Sequence, residues 1–170
     1  LQNGNEESAK NYYKKVEDIK NNHLLKRDHR AFIYNGLSRY YMLKKESKMA
    51  LDSLDEALKI RQKLRDDEDE NLTSHIINTH SNKIRIYLEL DLVEEANKEY
   101  LSCMEEPNIQ ERLKTSPGAN RRILSDYGDI LAREKKYKEA VEQYQKALDV
   151  RKYVRVEDDR IAASTYRKIA

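Results

Sequence analysis

The feature that most constrains this chain is a spacing of small and large side chains that recurs four times. In each copy a small residue is followed four positions later by a large one, and three positions after that by another small or narrow one. The copies are Ala9/Tyr13/Val16, Ala50/Leu54/Ala57, Ala96/Tyr100/Cys103 and Ala140/Tyr144/Ala147, and their first positions are 41, 46 and 44 residues apart. Residues at i, i+4 and i+7 lie on one helical face. Each copy therefore predicts a helix whose small residues let a second helix approach closely, while the large residue fills the groove between them.

A second helical stretch precedes each of the last three copies. Large apolar residues recur there at i, i+3 or i+4 and i+7, in segments 31–43, 73–89 and 120–133. Short segments at 44–47, 90–93 and 134–137 join these stretches to the helices with the small residues. The repeating unit is thus helix A, a tight turn and helix B, and complete pairs are predicted at 31–64, 73–106 and 120–155. We expect 1–25 to be helix B of a preceding repeat, 158–170 to begin a further one, and a short helix to lie around 109–114.

Composition supports a folded helical protein rather than a disordered one. Charged residues make up 38% of the chain, but twelve Tyr and a net charge of only +2 are not typical of disorder. No apolar run approaches the roughly 20 residues that a membrane span needs. The single cysteine, Cys103, excludes an internal disulfide and a Cys-rich metal site. We therefore expect no membrane span and an intracellular location, cytoplasmic or nuclear.

The best-preserved copy, residues 121–150, resembles the tetratricopeptide repeat family. Its residues at the signature positions of that family are Leu124, Tyr127-Gly128, Leu131, Ala140, Tyr144 and Ala147. The copies lack the Trp and the closing Pro of the signature, and their spacing is longer than the usual ~34 residues. The longer spacing, with "ALKIR" at 57–61 and "ALDVR" at 147–151, is similar to the kinesin-light-chain type of these repeats.

This resemblance implies the fold and the general function. It implies an all-α fold, a right-handed α-solenoid of antiparallel helix pairs, extending over 1–170 as a single superhelix and continuing in a longer chain or assembly. It also implies a non-enzymatic scaffold or adaptor that binds another protein in a concave groove lined by the A helices. The residues expected to face that groove are Asn35, Arg39, Met42, Asn78, Asn82, Arg85, Arg122, Asp126, Asp129 and Arg133.

The residue types in this set indicate what the groove would bind. Asn side chains both donate to and accept from a peptide backbone, and Arg side chains hold carboxylates through two parallel hydrogen bonds. We therefore expect an extended or short helical peptide segment with acidic residues as the partner. Two alternatives stay open: a subunit-assembly protein that uses the edges or ends of the solenoid, and a peptide-sensing regulator.

Other chemistries are not favoured by the sequence. The four histidines, His23, His29, His75 and His80, contain no i, i+4 pair, and we expect them on the surface or at helix flanks rather than around a metal. Acidic pairs at 66–70, 94–95 and 105–106 are expected to be solvated, and Cys103 is expected to be a buried packing residue. There is no Gly-rich phosphate loop, so neither an enzyme nor a cofactor is predicted.

Two surface features complete the expectations. Basic residues cluster at the first and third A–B turns, but the middle turn carries Asp91, Glu94 and Glu95, and this interruption does not favour nucleic acid. In the pairs Tyr12-Tyr13 and Tyr40-Tyr41, neighbours are about 100° apart on a helix and are not expected both to face inward. Tyr12 and Tyr40 are therefore candidates for exposed or groove positions.

Overall fold

A computed structural model describes Lys15 and residues 27–64 and 70–151. This part of the chain contains seven helices and no strand, which confirms the all-α prediction. The helices are α1 (Arg27–Leu43), α2 (Ser47–Leu64), α3 (Glu70–Glu89), α4 (Val93–Glu105), α5 (Ile109–Thr115), α6 (Pro117–Arg133) and α7 (Tyr137–Arg151).

The chain divides into two compact units, residues 1–72 and 73–170. In the first unit, α1 and α2 form one antiparallel pair. The second unit contains α3 from Thr73 onward, α4, the short α5, α6 and α7. The three predicted A–B pairs are therefore α1–α2, α3–α4 and α6–α7. The predicted flanking helices at 1–25 and 158–170 lie outside the described residues, Lys15 apart.

The three A–B turns have the same backbone geometry, although none contains glycine. Lys45, Asp91 and Lys135 have φ values of 62°, 59° and 64°, in the left-handed region. Each donates its N–H to a carbonyl three residues back, and the next residue donates to one five residues back, as in Lys135 to Ala132 (3.1 Å) and Lys136 to Leu131 (2.9 Å). This is the Schellman motif, which ends helix A and leaves the following residue to start helix B.

The core of the first unit contains the predicted small–large–small stripe. Ala50, Leu54 and Ala57 on α2 are fully buried, and so are Ala31 and Leu37 on α1. Arg61, the arginine of "ALKIR", is also buried. Its guanidinium carbon lies 5.3 Å from the centre of the Phe32 ring.

The expectation that Tyr40 and Tyr41 cannot both face inward is wrong. Both side chains are buried, and their ring centres are 5.6 Å apart. The ammonium group of Lys44 lies 4.5 Å from the centre of the Tyr40 ring and covers it. The buried face of α1 is thus wide enough near its end to include two neighbouring positions.

The second unit repeats the arrangement with aromatic residues between the pairs. Ala96 and Cys103 on α4 and Ala140 and Ala147 on α7 are buried, and the large residue of the α7 stripe, Tyr144, is buried with them. Further buried apolar residues of α3, α5 and α6 pack with the α4 stripe in the core: Ile77, Ile84, Leu88, Ile109, Ala119, Ile123 and Ile130. Tyr100 stacks on Tyr127 with ring centres 4.6 Å apart. This stack joins α4 of one pair to α6 of the next.

Glycine is needed at one place in this packing. A β-carbon added at Gly128 on α6 would lie 2.4 Å from Cε1 and 2.7 Å from Cδ1 of Tyr144 on α7. Only a hydrogen at this position leaves room for the aromatic ring. The close approach predicted from the small residues therefore depends on Gly128 in this pair.

The connector between the two pairs folds as a short helix. The helix predicted around 109–114 is confirmed as α5, Ile109–Thr115. Asn108 precedes it in the left-handed conformation, and buried Ile109 anchors it beside α3 and α6. Pro117 occupies the first turn of α6, where its missing N–H removes no helical hydrogen bond.

Candidate functional site

The A helices of the second unit, α3 and α6, enclose a cleft. Its volume is about 310 Å³, and its lining residues are Arg85, Leu88, Glu89, Asp129, Ala132, Arg133 and Tyr144. Residues four apart on each helix supply the walls, since Arg85 and Glu89 lie on α3 and Asp129 and Arg133 lie on α6. Three of the predicted groove positions, Arg85, Asp129 and Arg133, therefore line one cleft, and Glu89 lines it with them.

The exposed charges of the cleft are mainly basic. Arg85, Arg133 and Glu89 are exposed, so two guanidinium groups and one carboxylate reach the solvent there. Arg133 donates from Nη1 to Oδ1 of Asp91 in the α3–α4 turn, at 3.1 Å. Both partners of this pair are exposed, so the pair contributes little to stability and leaves Arg133 able to contact a ligand.

Asp129 lines the cleft and is tied to the core. The hydroxyl of Tyr144 donates to Oδ1 of Asp129 at 2.7 Å. Burial of the Tyr144 ring raises the pKa of its hydroxyl, and the hydrogen bond to Asp129 raises it further. The Tyr144 hydroxyl therefore stays protonated and holds the Asp129 carboxylate in place, with one of its oxygens occupied by this hydrogen bond.

Asp126 does not lie on the surface of the cleft. Only 5% of the residue is exposed, and its carboxylate accepts a hydrogen bond from the hydroxyl of Ser81 on α3. This bond joins α3 to α6 beneath the surface. Asp126 therefore positions the two A helices rather than presenting a charge to a partner.

The remaining predicted groove residues are distributed over both units. Asn78 and Asn82 on α3 and Arg122 on α6 are partly exposed in the second unit, but they do not line the cleft. Asn35, Arg39 and Met42 lie on α1 in the first unit, where Arg39 is exposed and the Asn35 amide donates to the carbonyl of Ala31 at 3.4 Å.

A buried polar cluster between α3 and α4 was missed by the sequence reasoning. His80 is 1% exposed, and its Nδ1 lies 2.6 Å from Oε1 of Glu99. Lys83 Nζ lies 2.7 Å from the other oxygen of Glu99, and His80 Nε2 lies 3.5 Å from Oε1 of Glu106. The surface position expected for His80 and the solvated position expected for Glu106 are therefore both wrong.

The charges in this cluster compensate one another. Burial acts to raise the pKa of Glu99, but hydrogen bonds from His80 and Lys83 and the charge of Lys83 hold it below the ordinary value of 4.5. A sequence signal was available, since His80 and Lys83 are three residues apart on the α3 face that packs on α4. Glu99 directly precedes Tyr100 on α4, and its spacing from Ala96 and Cys103 places it on the buried face of that helix.

Other features of the described residues do not suggest chemistry. Burial and neighbouring carboxylates raise the pKa of the Cys103 thiol to about 12, which fits the predicted packing role and not a nucleophile. Among residues 27–64 and 70–151, no three His, Cys, Asp or Glu side chains are grouped so as to hold a metal ion. None of the helices in these ranges combines the length and the hydropathy of a membrane span.

A family model described as tetratricopeptide repeat matches two segments of the chain, residues 1–23 and 122–153. These matches support a tetratricopeptide repeat family. The second segment contains most of α6 and all of α7, which are the pair closed by Gly128 and Tyr144. No curated protein matches the chain. Tetratricopeptide repeats indicate a protein–protein interaction module, and members of the family are typically non-enzymatic.

Proposed function

We propose that this tetratricopeptide repeat chain is a scaffold or adaptor that binds an acidic segment of a partner protein in the cleft between α3 and α6. One observation carries the proposal: Arg85 and Arg133, from two different A helices, are exposed and line the same cleft. A carboxylate placed between them can accept charge-assisted hydrogen bonds from both.

The floor of the cleft adds an apolar contact. Leu88 and Tyr144 are buried residues that line the cleft with the two arginines, and Ala132 lines it as well. A volume of about 310 Å³ is at the small end of ligand pockets, so the cleft accommodates one or two side chains. The proposed segment therefore carries an apolar residue next to one or two acidic residues, and it is extended or forms a short helix.

The other predicted residues would add weaker contacts. Asn78, Asn82 and Arg122 are partly exposed on the same two A helices and can hydrogen-bond to a peptide backbone. Asn35, Arg39 and Met42 are proposed as a contact surface of the first unit. Each such contact contributes little because ordering a peptide costs entropy.

We also propose the longer, kinesin-light-chain-like type of repeat and an intracellular location. The insertion of α5 between α4 and α6 accounts for the long spacing between two copies of the repeat. The buried thiol of Cys103 is free, which suits a reducing compartment.

A peptide-binding assay tests the cleft. Acidic peptides would be selected from a random peptide library on the full chain, and their dissociation constants would be measured by fluorescence polarisation. The double variant Arg85→Glu/Arg133→Glu should weaken binding at least about tenfold, because it replaces two attractive contacts with repulsive ones. Arg85→Lys/Arg133→Lys should weaken binding less, since the charge remains but the paired hydrogen bonds are lost.

The control makes the same change in net charge elsewhere in the second unit. Lys114 and Lys146 are exposed and border a separate cleft at the other end of α6 and α7. Lys114→Glu/Lys146→Glu should leave the dissociation constant within about twofold, apart from a general effect that high salt removes. Equal loss of binding in both double variants, or none in either, would reject the proposed cleft.

A further inference from the structure

Two neighbouring turns of the second unit expose apolar side chains that the proposed cleft does not use. Leu90 and Leu92 in the α3–α4 turn are each 41% exposed, Tyr137 at the start of α7 is 63% exposed, and Val141 one turn later is 40% exposed. Arg133 bonds to Asp91 and so places the two turns side by side. We call residues 89–95 and 133–141 together the turn edge.

The charges of the turn edge are separated into two halves. Residues 89–95 contain four acidic residues and no basic one, a net charge of −4. Residues 133–141 contain four basic and two acidic residues, a net charge of +2. Asp91, Glu94, Lys135, Lys136 and Lys138 are all exposed. Each half also carries two of the exposed apolar side chains.

We propose that the turn edge is a self-association surface and that its partner is a second copy of this chain. Rotation of one copy by 180° about an axis between the two turns would place the acidic half of each copy against the basic half of the other. Leu90 and Leu92 of one copy would then meet Tyr137 and Val141 of its partner. This single arrangement brings opposite charges together and brings the exposed apolar residues into contact.

Charge complementarity favours a second copy over another partner. A uniformly acidic partner would be repelled by residues 89–95, and a uniformly basic one by residues 133–141. A second copy in the two-fold arrangement meets attraction on both halves. The association is expected to be weak and to depend on salt, because the surface is small and its charges are solvated.

The test measures the oligomeric state of the full chain by sedimentation equilibrium over a range of protein concentrations. The wild-type chain should form a dimer at low ionic strength, and added salt should weaken it. Asp91→Lys/Glu94→Lys/Glu95→Lys makes both halves basic, and Lys135→Glu/Lys136→Glu/Lys138→Glu makes both halves acidic. Each triple variant should weaken the dimer at least about tenfold.

Combining the six substitutions distinguishes complementarity from simple damage. The combined variant exchanges the net charges of the two halves, +2 and −4, and should dimerise again; an equal mixture of the two triple variants should form a heterodimer. The control, Lys114→Glu/Lys146→Glu, should dimerise like the wild type. Circular dichroism would show that each variant folds. The variant Tyr137→Ser/Val141→Ser leaves the charge unchanged and should also weaken the dimer.

The result that overturns the inference is a wild-type chain that stays monomeric, or a combined variant that stays monomeric while folded. Unchanged dimerisation in a triple variant would overturn it too. None of these substitutions alters Arg85 or Arg133. Failure of self-association therefore leaves the peptide-binding proposal intact. The peptide-binding proposal is tested apart from self-association by Arg85→Glu alone, since Arg85 lies outside the turn edge.

Discussion

The substitution Gly128→Ala tests the closest contact between an A helix and a B helix. In a solvent-exposed helix interior, replacing Gly with Ala stabilises a protein by about 1 kcal/mol. At position 128, however, the added methyl group would lie 2.4 Å from Cε1 and 2.7 Å from Cδ1 of Tyr144. The same substitution should therefore have the opposite sign here.

The magnitude follows from how firmly Tyr144 is held. Its ring is buried and its hydroxyl donates to Asp129 at 2.7 Å, so the ring cannot move away without loss of packing and of that hydrogen bond. Overpacking costs about 1–3 kcal/mol, and loss of the hydrogen bond adds about 1 kcal/mol. After subtraction of the gain in helix propensity, about 1 kcal/mol, Gly128→Ala should destabilise the protein by about 1–3 kcal/mol.

Urea unfolding followed by circular dichroism measures this change. Gly118→Ala is the matched control, because Gly118 lies in the same helix and no atom lies within 4 Å of an added β-carbon. The control should be neutral or stabilising by up to about 1 kcal/mol. In a Tyr144→Ala background, Gly128→Ala should become stabilising, since the opposing ring is gone. A stabilising effect of Gly128→Ala in the wild-type background would refute the reasoning.

Three further predictions concern the turns, the buried cluster and the thiol. Lys45→Gly and Lys135→Gly should each stabilise the protein by about 0.5–1 kcal/mol in thermal unfolding, because both residues have positive φ, and a loss of stability would argue against this geometry. Glu99 contributes stability that is complete above pH 4.5 and is lost as the pH falls through its lower folded pKa. Below pH 4.5, the free energy of unfolding measured in urea should therefore fall less for Glu99→Gln than for the wild type. Cys103, with a pKa of about 12, should react with Ellman's reagent only as the protein unfolds, whereas rapid reaction of the native chain would contradict its burial.

The sequence predicted the helix pairs because their packing depends on residues close together in the chain. Ala140, Tyr144 and Ala147 lie on one face of α7, and all three are buried as that spacing requires. The short α5 was predictable in the same way, since prolines and polar residues bound it. The identity of each turn's left-handed residue was not predictable, because Lys45 and Lys135 occupy positions where glycine is the usual signal.

Interactions between helices distant in the sequence account for what was missed. His80 and Glu99 belong to different helices, so their local sequence could place each on a packing face but did not indicate that the two side chains would pair in the interior. The same applies to Asp126, which was predicted to face a ligand but lies beneath the surface beside Ser81. For the cleft, periodicity placed Arg85 and Arg133 on A helices, but only the packing of α3 against α6 brings them to one site.

The most direct test of the central claim is a nuclear magnetic resonance titration of the isotope-labelled chain with a selected acidic peptide. We expect the backbone amide shifts to change around Arg85, Glu89, Asp129 and Arg133, and these changes should be lost in Arg85→Glu/Arg133→Glu. Shift changes confined to residues 90–95 and 134–141 of the turn edge, or to the cleft beside Lys114 and Lys146, would show that the peptide binds elsewhere and would contradict the account.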